Sequence, residues 1–315
     1  MTDPSVELSV VLPMYDEEQA ADLALDAVVE QVAATGLTFE IVCVDDGSRD
    51  GTLRKLERRA AADPRVVVVS LSRNFGKEAA MASGLDAAHG DAVLLMDADL
   101  QHPPELIPRM VELWRSGHDV VSAVKERRAR ESLLYRALAA VFNRLMGGAA
   151  NADFRGASDF KLLDRQVVEA LRACPERSRF FRGLVAWVGF RTAEVPFRVA
   201  DRVAGTSKWS VFGLVRYSAR NLLAFSALPL RGVAVLGLAM LVAGCALGAQ
   251  TLYLYASGRA VTGFTTVILL QLILGGLVLA SIGVIAVYLS EVYDEVKRRP
   301  VFVVRRPRQG RRVEE

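Results

Sequence analysis

Two carboxylates one residue apart, Asp97 and Asp99, stand at the end of the apolar run Val93-Leu94-Leu95-Met96. The run has strand character, and Pro103-Pro104 prevents the strand from continuing. Carboxylates this close repel each other. A hard divalent cation, Mg²⁺ or Mn²⁺, relieves that repulsion and keeps open positions for phosphate oxygens. A solvated turn rich in Asp and Pro would look the same, because short motifs also occur by chance. The rest of the chain weighs between the two.

The segments before these carboxylates form a scaffold that could present them. Val6 to Leu12 reads as a buried strand broken at Pro13, and Met14-Tyr15-Asp16-Glu17-Glu18 leads into a helical pattern ending near Thr35. Phe39 to Val44 is a second strand, ending in Asp45-Asp46-Gly47-Ser48, where Gly47 suits a backbone position with φ > 0. A helix over Thr52–Ala62, a third strand over Val66–Leu71 and the cluster Ser72-Arg73-Asn74-Phe75-Gly76-Lys77 follow. A small-residue helix over Glu78–Ala88 then reaches the fourth strand. Such alternation implies βαβ units and a mostly parallel sheet with helices on both faces. Every polar cluster sits at a strand end. A parallel sheet therefore brings Tyr15, Glu17, Asp46, Arg73, Lys77, Asp97 and Asp99 to one edge, where open α/β sheets bind ligands.

A helix over 104–116 and a strand over 119–124 extend the sheet. The basic run after Lys125 leads into an amphipathic stretch, Leu133–Met146, which carries Arg136. It would serve as a surface helix packed on the sheet or as one touching a membrane. Asp159 is a single acid among small and aromatic residues in Gly156-Ala157-Ser158-Asp159-Phe160-Lys161. Arg202-Val203-Ala204-Gly205-Thr206-Ser207-Lys208-Trp209 is a flexible loop with a cation at each end, suited to closing over an anion or to standing solvated.

Of the 315 residues 52% are hydrophobic, and the excess lies beyond residue 230. No charge occurs from Gly232 to Ala256, nor from Phe264 to Ser290. As helices of about 25 residues, each is roughly 37 Å long and crosses a hydrocarbon core of about 30 Å with some tilt. The short link between them makes a hairpin rather than two core helices, which at that length are normally amphipathic. Arg216, Arg220 and Arg231 precede the pair, Lys297, Arg298, Arg299, Arg305 and Arg306 follow it, and Arg259 alone lies in the turn. The positive-inside rule therefore expects both ends in the cytoplasm. This divides the chain into 1–208 as a soluble domain, 209–230 as an interfacial helix, 231–290 as a transmembrane hairpin (232–256 and 264–289) and 291–315 as a basic tail. Gly275-Gly276 offers a surface on which copies of the hairpin could pack. The net charge of +3 is too small to suggest nucleic acid. The dispersed Cys43, Cys174 and Cys245 fit neither zinc nor a disulfide framework and favour a reducing compartment, and no cleavable signal is visible.

With these residues assembled, the chain resembles family 2 inverting glycosyltransferases, and within them the polyprenyl-phosphate glycosyltransferases: dolichyl-phosphate mannose synthases and bacterial bactoprenol glucosyltransferases. The resemblance covers nearly the whole length. It rests on Val11–Glu18, Val44–Ser48, Ser72–Glu78, Asp97–Gln101, Ala204–Trp209 and Tyr293–Pro300 after the hairpin. It implies a GT-A, Rossmann-like fold in which Pro13, Tyr15 and Glu17 line a nucleotide-sugar pocket and Asp46 meets the base. By the same resemblance Asp97 faces the ribose and diphosphate, Asp99 and Gln101 join Asp97 at the metal, and Arg202 and Lys208 neutralise the diphosphate. Lys125 and Arg136 occupy the positions that hold the lipid phosphate. Two positions depart from the pattern. His102 stands where an Asp is common, with little bearing on the chemistry, and Ala140 falls about where the mannose synthases have a phosphate-binding Ser.

The implied reaction moves a hexose from a nucleotide sugar to polyprenyl phosphate with inversion. UDP-glucose is the first donor to test, with GDP-mannose or another UDP-sugar beside it. Asp99 and Asp159 carry the catalytic roles, Asp159 by orienting the acceptor or sugar. Two other readings share the donor-binding half or the hairpin. A processive polysaccharide synthase would typically carry Gln-x-x-Arg-Trp and more membrane helices, and no Trp here follows an Arg. A catalytically silent membrane scaffold for a lipid flippase would not need the carboxylate set.

Overall fold

Val, Ile and Leu dominate the early strands, and such side chains suit a sheet covered on both faces. The computed structural model describes residues 6–125, 157–176, 179–197, 228–258 and 263–305. Strands β1 (Leu8–Met14), β2 (Phe39–Asp45), β3 (Val66–Ser70) and β4 (Ala92–Leu95) run parallel, joined by α1 (Ala21–Ala33), α2 (Thr52–Ala62) and α3 (Lys77–Ala87). After α4 (Ile107–Arg115) come β5 (Val120–Lys125), β6 (Ala157–Asp164), α5 (Arg165–Ala173), α6 (Phe181–Trp187) and β7 (Thr192–Phe197). The sheet order is β3-β2-β1-β4-β6-β5-β7. Leu8, Val10, Leu12, Leu25, Ile41, Leu94 and Phe160 are wholly buried in its core.

The mostly parallel α/β class is as the alternation implies, with three local differences. The first strand does not break at Pro13 but continues to Met14. The Val11 carbonyl accepts from the Met96 amide on the β4 side, while the Met14 carbonyl accepts from Asp46 on the β2 side. Pro13 therefore faces the β4 side, where the ladder has already ended at Leu95, and its missing N–H costs nothing. Second, β5 does not lie beside β4. β6 inserts between them, antiparallel to both, a strand that the sequence reading does not anticipate at Gly156–Lys161. Third, β6 is irregular. Opposite β5, Ala123 alone stands against Ser158, Asp159 and Phe160, and the Ser158 hydroxyl ties this bulge to the Ala123 carbonyl at 2.5 Å. Bulges of this kind re-aim side chains beside functional sites.

The described chain forms two compact units, Met1–Ser210 with Pro300–Glu315, and Val211–Arg299. The second contains α7 (Leu228–Ala256) and α8 (Phe264–Val296). Gly232–Ala256 and Ile273–Val296 are long and apolar enough to cross a membrane, and their apolar windows are 0% buried in the protein. They are not core helices. The second helix runs past residue 289 to Val296 because Glu291-Val292-Tyr293-Asp294-Glu295-Val296 continues the helical pattern in polar form. In the first unit the returning tail lies along the free edge of β3. Ser72 N–H donates to the Val303 carbonyl at 2.8 Å, Arg305 N–H donates to the Ser70 carbonyl at 2.7 Å, and Val304 bridges Leu71 antiparallel.

Candidate active site

The ends of β1, β2, β3 and β4 share one edge because the strands are parallel. There the loops after β1 and β2 are stitched together. Asp16 N–H donates to Ser48 Oγ at 3.0 Å, Arg49 N–H to Asp16 Oδ1 at 2.8 Å, and Glu17 N–H to Thr52 Oγ1 at 2.9 Å. Tyr15 and Glu17 thus occupy a braced turn, Pro13 lies just before it near the end of β1, and all three are half-buried. Asp46 is nearly fully buried, and its two carboxylate oxygens accept from the amides of Phe75 (2.7 Å) and Gly76 (2.9 Å). Burial pushes its carboxyl above the usual value, with those two amides pulling the other way. Asp46 therefore fastens the loop after β3. Gly47, at φ 68°, lies so close beneath this loop that an added Cβ would strike the backbone of Arg73 and Asn74.

β4 ends at Leu95, and the chain then turns sharply through Leu100, whose φ is 55°. Gln101 N–H donates to Asp99 Oδ1 at 3.1 Å, so Gln101 and Asp99 share this turn. One ligand atom from each of Asp97, Asp99 and His102 lies within 4.8 Å of the others. Burial holds the His102 imidazole below its ordinary value, against the pull of Asp97. Carboxylate oxygens beside a buried imidazole make a donor set that fits a divalent cation.

Asp159 reaches the same edge from the opposite strand direction, at the start of antiparallel β6. It is buried and tightly engaged. Arg182 Nε donates to Oδ1 at 2.6 Å, Arg182 Nη2 to Oδ2 at 3.0 Å, and Lys77 Nζ to Oδ2 at 2.6 Å. The same Lys77 ammonium sits 2.6 Å from Asp97 Oδ1. Lys77 thus bridges the two carboxylates. Burial opposes the charge of Asp159, but Lys77 and then Arg182 overcome it and hold the carboxyl well below the usual range. Burial likewise opposes the charge of Lys77, and Asp97 then Asp159 outweigh it and raise its ammonium above the ordinary value. Beside them burial, then Asp159, pushes Glu78 up to about 7, and its Oε2 accepts from Phe181 N–H at 3.0 Å. An acid held ionised this firmly is a poor proton acceptor and a good fixed negative charge.

The structure brings Asp97, Asp99 and Asp159 into one cluster. It places Lys125, at the end of β5, within the field of Arg182, Asp97 and Asp159, where partial burial and then Arg182 lower its ammonium. Arg136, Arg202 and Lys208 lie outside the described residues. Three participants escaped sequence reasoning. Arg182 had only its charge to mark it, Glu78 was given no role beyond the start of a small-residue helix and the end of a motif, and His102, given little bearing on the chemistry, stands among the carboxylates. The pairing of distant segments reveals Arg182 and Glu78, and the fold of the turn itself reveals His102.

Comparison with known proteins identifies the family. The profile of Glycosyl transferase family 2 matches residues 9–169, a span that holds Asp46, Asp97, Asp99 and Asp159. An uncharacterized glycosyltransferase of Synechocystis sp. is 39% identical over 302 residues, 95% of each chain. A prophage bactoprenol glucosyl transferase homolog of Escherichia coli is 36% identical over 96% of this chain and 99% of its own. The bactoprenol glucosyl transferase of Shigella phage SfII is 36% identical over 97% and 99%. Among solved structures, a mannosyltransferase of Pyrobaculum calidifontis in complex with GDP-Man and Mn²⁺ is 19% identical, covers 88% of this chain and 87% of that one, and superposes with a TM-score of 0.46. A family profile spanning the loops of the site, and relatives above a third identical along nearly the whole length, place this chain in glycosyltransferase family 2.

Proposed function

We propose that the protein transfers a hexose from a nucleotide sugar to the phosphate of a polyprenyl phosphate, with inversion, at the cytoplasmic face of a membrane. The observation that carries this reading is the joined cluster Lys77–Asp97–Asp159–Arg182. It occurs in a chain whose near-full-length relatives include bactoprenol glucosyl transferases. UDP-glucose is the donor this supports first.

Pro13, Tyr15 and Glu17 line the nucleotide side, while Asp46 keeps the loop after β3 in place for it. Asp97, Asp99 and Gln101 would hold a divalent cation, which when bound neutralises charge developing on the departing diphosphate. Arg202 and Lys208 contribute further positive charge there. The acceptor is a phosphate monoester with a second pKa of about 6, so it is mostly dianionic at pH 7 and attacks without a strong base. Its oxygen bonds to the anomeric carbon from one face as the bond to the diphosphate breaks on the other. An α-linked donor therefore gives a β-linked product. Lys125 and Arg136 steer the acceptor phosphate, and Asp159, held ionised by Lys77 and Arg182, orients the incoming groups rather than removing a proton.

The hairpin over 231–290, with 209–230 at the interface, keeps the domain beside a lipid whose burial is worth about 0.8 kcal/mol per CH₂. Mass spectrometry of polyprenyl phosphate incubated with the full chain and a panel of nucleotide sugars tests the proposal. One hexose added per lipid phosphate, as the β anomer, is expected. No lipid-linked sugar from any donor, or a polymer, would overturn it.

A further inference from the structure

His102 makes a poor structural residue. It is 5% exposed and packs against Phe160 and Phe197, with ring centroids 5.6 and 5.4 Å away. Both ring nitrogens are buried, and neither has a hydrogen-bond partner among the described residues. A buried imidazole without partners destabilises a fold in a way that a phenyl ring in the same place would not, and an orphan of this kind needs a reason. The surroundings supply one. Nδ1 points toward the carboxylate turn and lies 3.7 Å from Asp97 Oδ2, too far for a hydrogen bond. Ligand atoms around one cation at about 2.1 Å are themselves about 3 to 4.2 Å apart. The Asp97, Asp99 and His102 atoms, all within 4.8 Å of one another, need only a small contraction to reach that spacing.

We propose that His102 supplies a nitrogen ligand to the cation held by Asp97 and Asp99, and that this nitrogen biases the site toward a first-row transition cation such as Mn²⁺ over Mg²⁺. The inference rests on the reading that those carboxylates hold a divalent cation. Mg²⁺ binds oxygen and keeps its waters, so an imidazole gives it little. Imidazole is a good ligand for first-row transition metals, and Mn²⁺ accepts it more readily than Mg²⁺ does. Packing against the Phe160 and Phe197 rings restricts the imidazole, a task more often done by a hydrogen bond to the second ring nitrogen. The site would thus be built for nitrogen as well as oxygen ligands before any ion arrives.

The chain has only three histidines, which makes the test clean. His89 and His118 precede β4 and β5, at the opposite ends of those strands from the carboxylate turn. Untagged full-length protein in detergent is loaded with Mn²⁺, alone and with inorganic pyrophosphate, and examined by electron spin-echo modulation. A nitrogen coupling typical of imidazole is expected in the native protein and absent in His102→Phe and His102→Asp. His102→Phe keeps the ring volume and removes both unpartnered nitrogens, so its melting temperature in EDTA should equal or exceed the native value. Its Mn²⁺ affinity should fall by about tenfold or more, while its Mg²⁺ affinity falls less than about threefold. Saturable Mn²⁺ binding without nitrogen coupling, or unchanged Mn²⁺ affinity in His102→Phe, would overturn the proposal. Asp99→Asn separates the two levels. If that variant binds Mn²⁺ like the native protein, the carboxylate reading itself falls, and the nitrogen ligand with it.

Discussion

Asp159 has a guanidinium and an ammonium both within 2.6 Å. Replacing it by Asn removes the counter-charge of both cations while keeping the shape. Turnover should then drop by about 100-fold or more, with donor KM little changed, because the loss is felt where charge develops. Steady-state kinetics on polyprenyl phosphate check this, and near-native turnover would remove Asp159 from the mechanism. Glu78 makes a different prediction, about pH. Its carboxyl is raised to about 7 from 4.5, chiefly by burial and then by Asp159. Between those values the folded chain holds a proton that the unfolded chain has released. Stability contributed there is present at low pH and lost as pH rises through 7, by at most about 3 kcal/mol. Glu78→Gln should flatten the decline in melting temperature between pH 5 and pH 8; an unchanged slope would show that Glu78 is not its source. At this scale Asp46, Asp97 and Asp99 were readable because each follows an apolar strand directly. Arg182 and Glu78 were not, since their partners Asp159 and Phe181 are far away in sequence; His102 is close to Asp97 and Asp99 in the chain, but its burial between segments shows only once the sheet is folded.

The strand-end loops act as units. Gly47 combines a positive φ with a backbone neighbour where a Cβ would go, so Gly47→Ala is strained twice. A loss of about 1–3 kcal/mol in thermal stability is expected, with weaker nucleotide binding as the loop after β3 shifts. Calorimetry and nucleotide titration measure both. Alternation of apolar strands with helices made β1 to β4 legible, including Thr52–Ala62 as a helix. β6 was hidden because polar side chains interrupt it: Asp159 and Lys161 are charged yet buried. Burial pushes Lys161 down to about 8, and its Nζ donates to Ser122 Oγ at 2.8 Å. A strand with buried charges on one side does not show the apolar alternation that identifies strands.

For the whole molecule, the apolar helices were the easiest feature to anticipate, since charge-free length alone announces them. We expect a chain in which 228–299 is replaced by a polar flexible linker, with 300–315 retained, to bind nucleotide normally. It should lose most activity on long-chain polyprenyl phosphate and keep more on a short, water-soluble phosphate. Equal activity on both acceptors would deprive the hairpin of its proposed role. Keeping the last residues in that chimera matters. No sequence pattern announced that Val303, Val304 and Arg305 would finish the sheet at β3. An uncovered strand border is a template for association with other chains. A blunt truncation at residue 230 would therefore both remove the proposed lipid anchor and open a sticky seam beside the loop after β3. Precipitation of such a fragment would report a lost selvage on the sheet, not a failed enzyme.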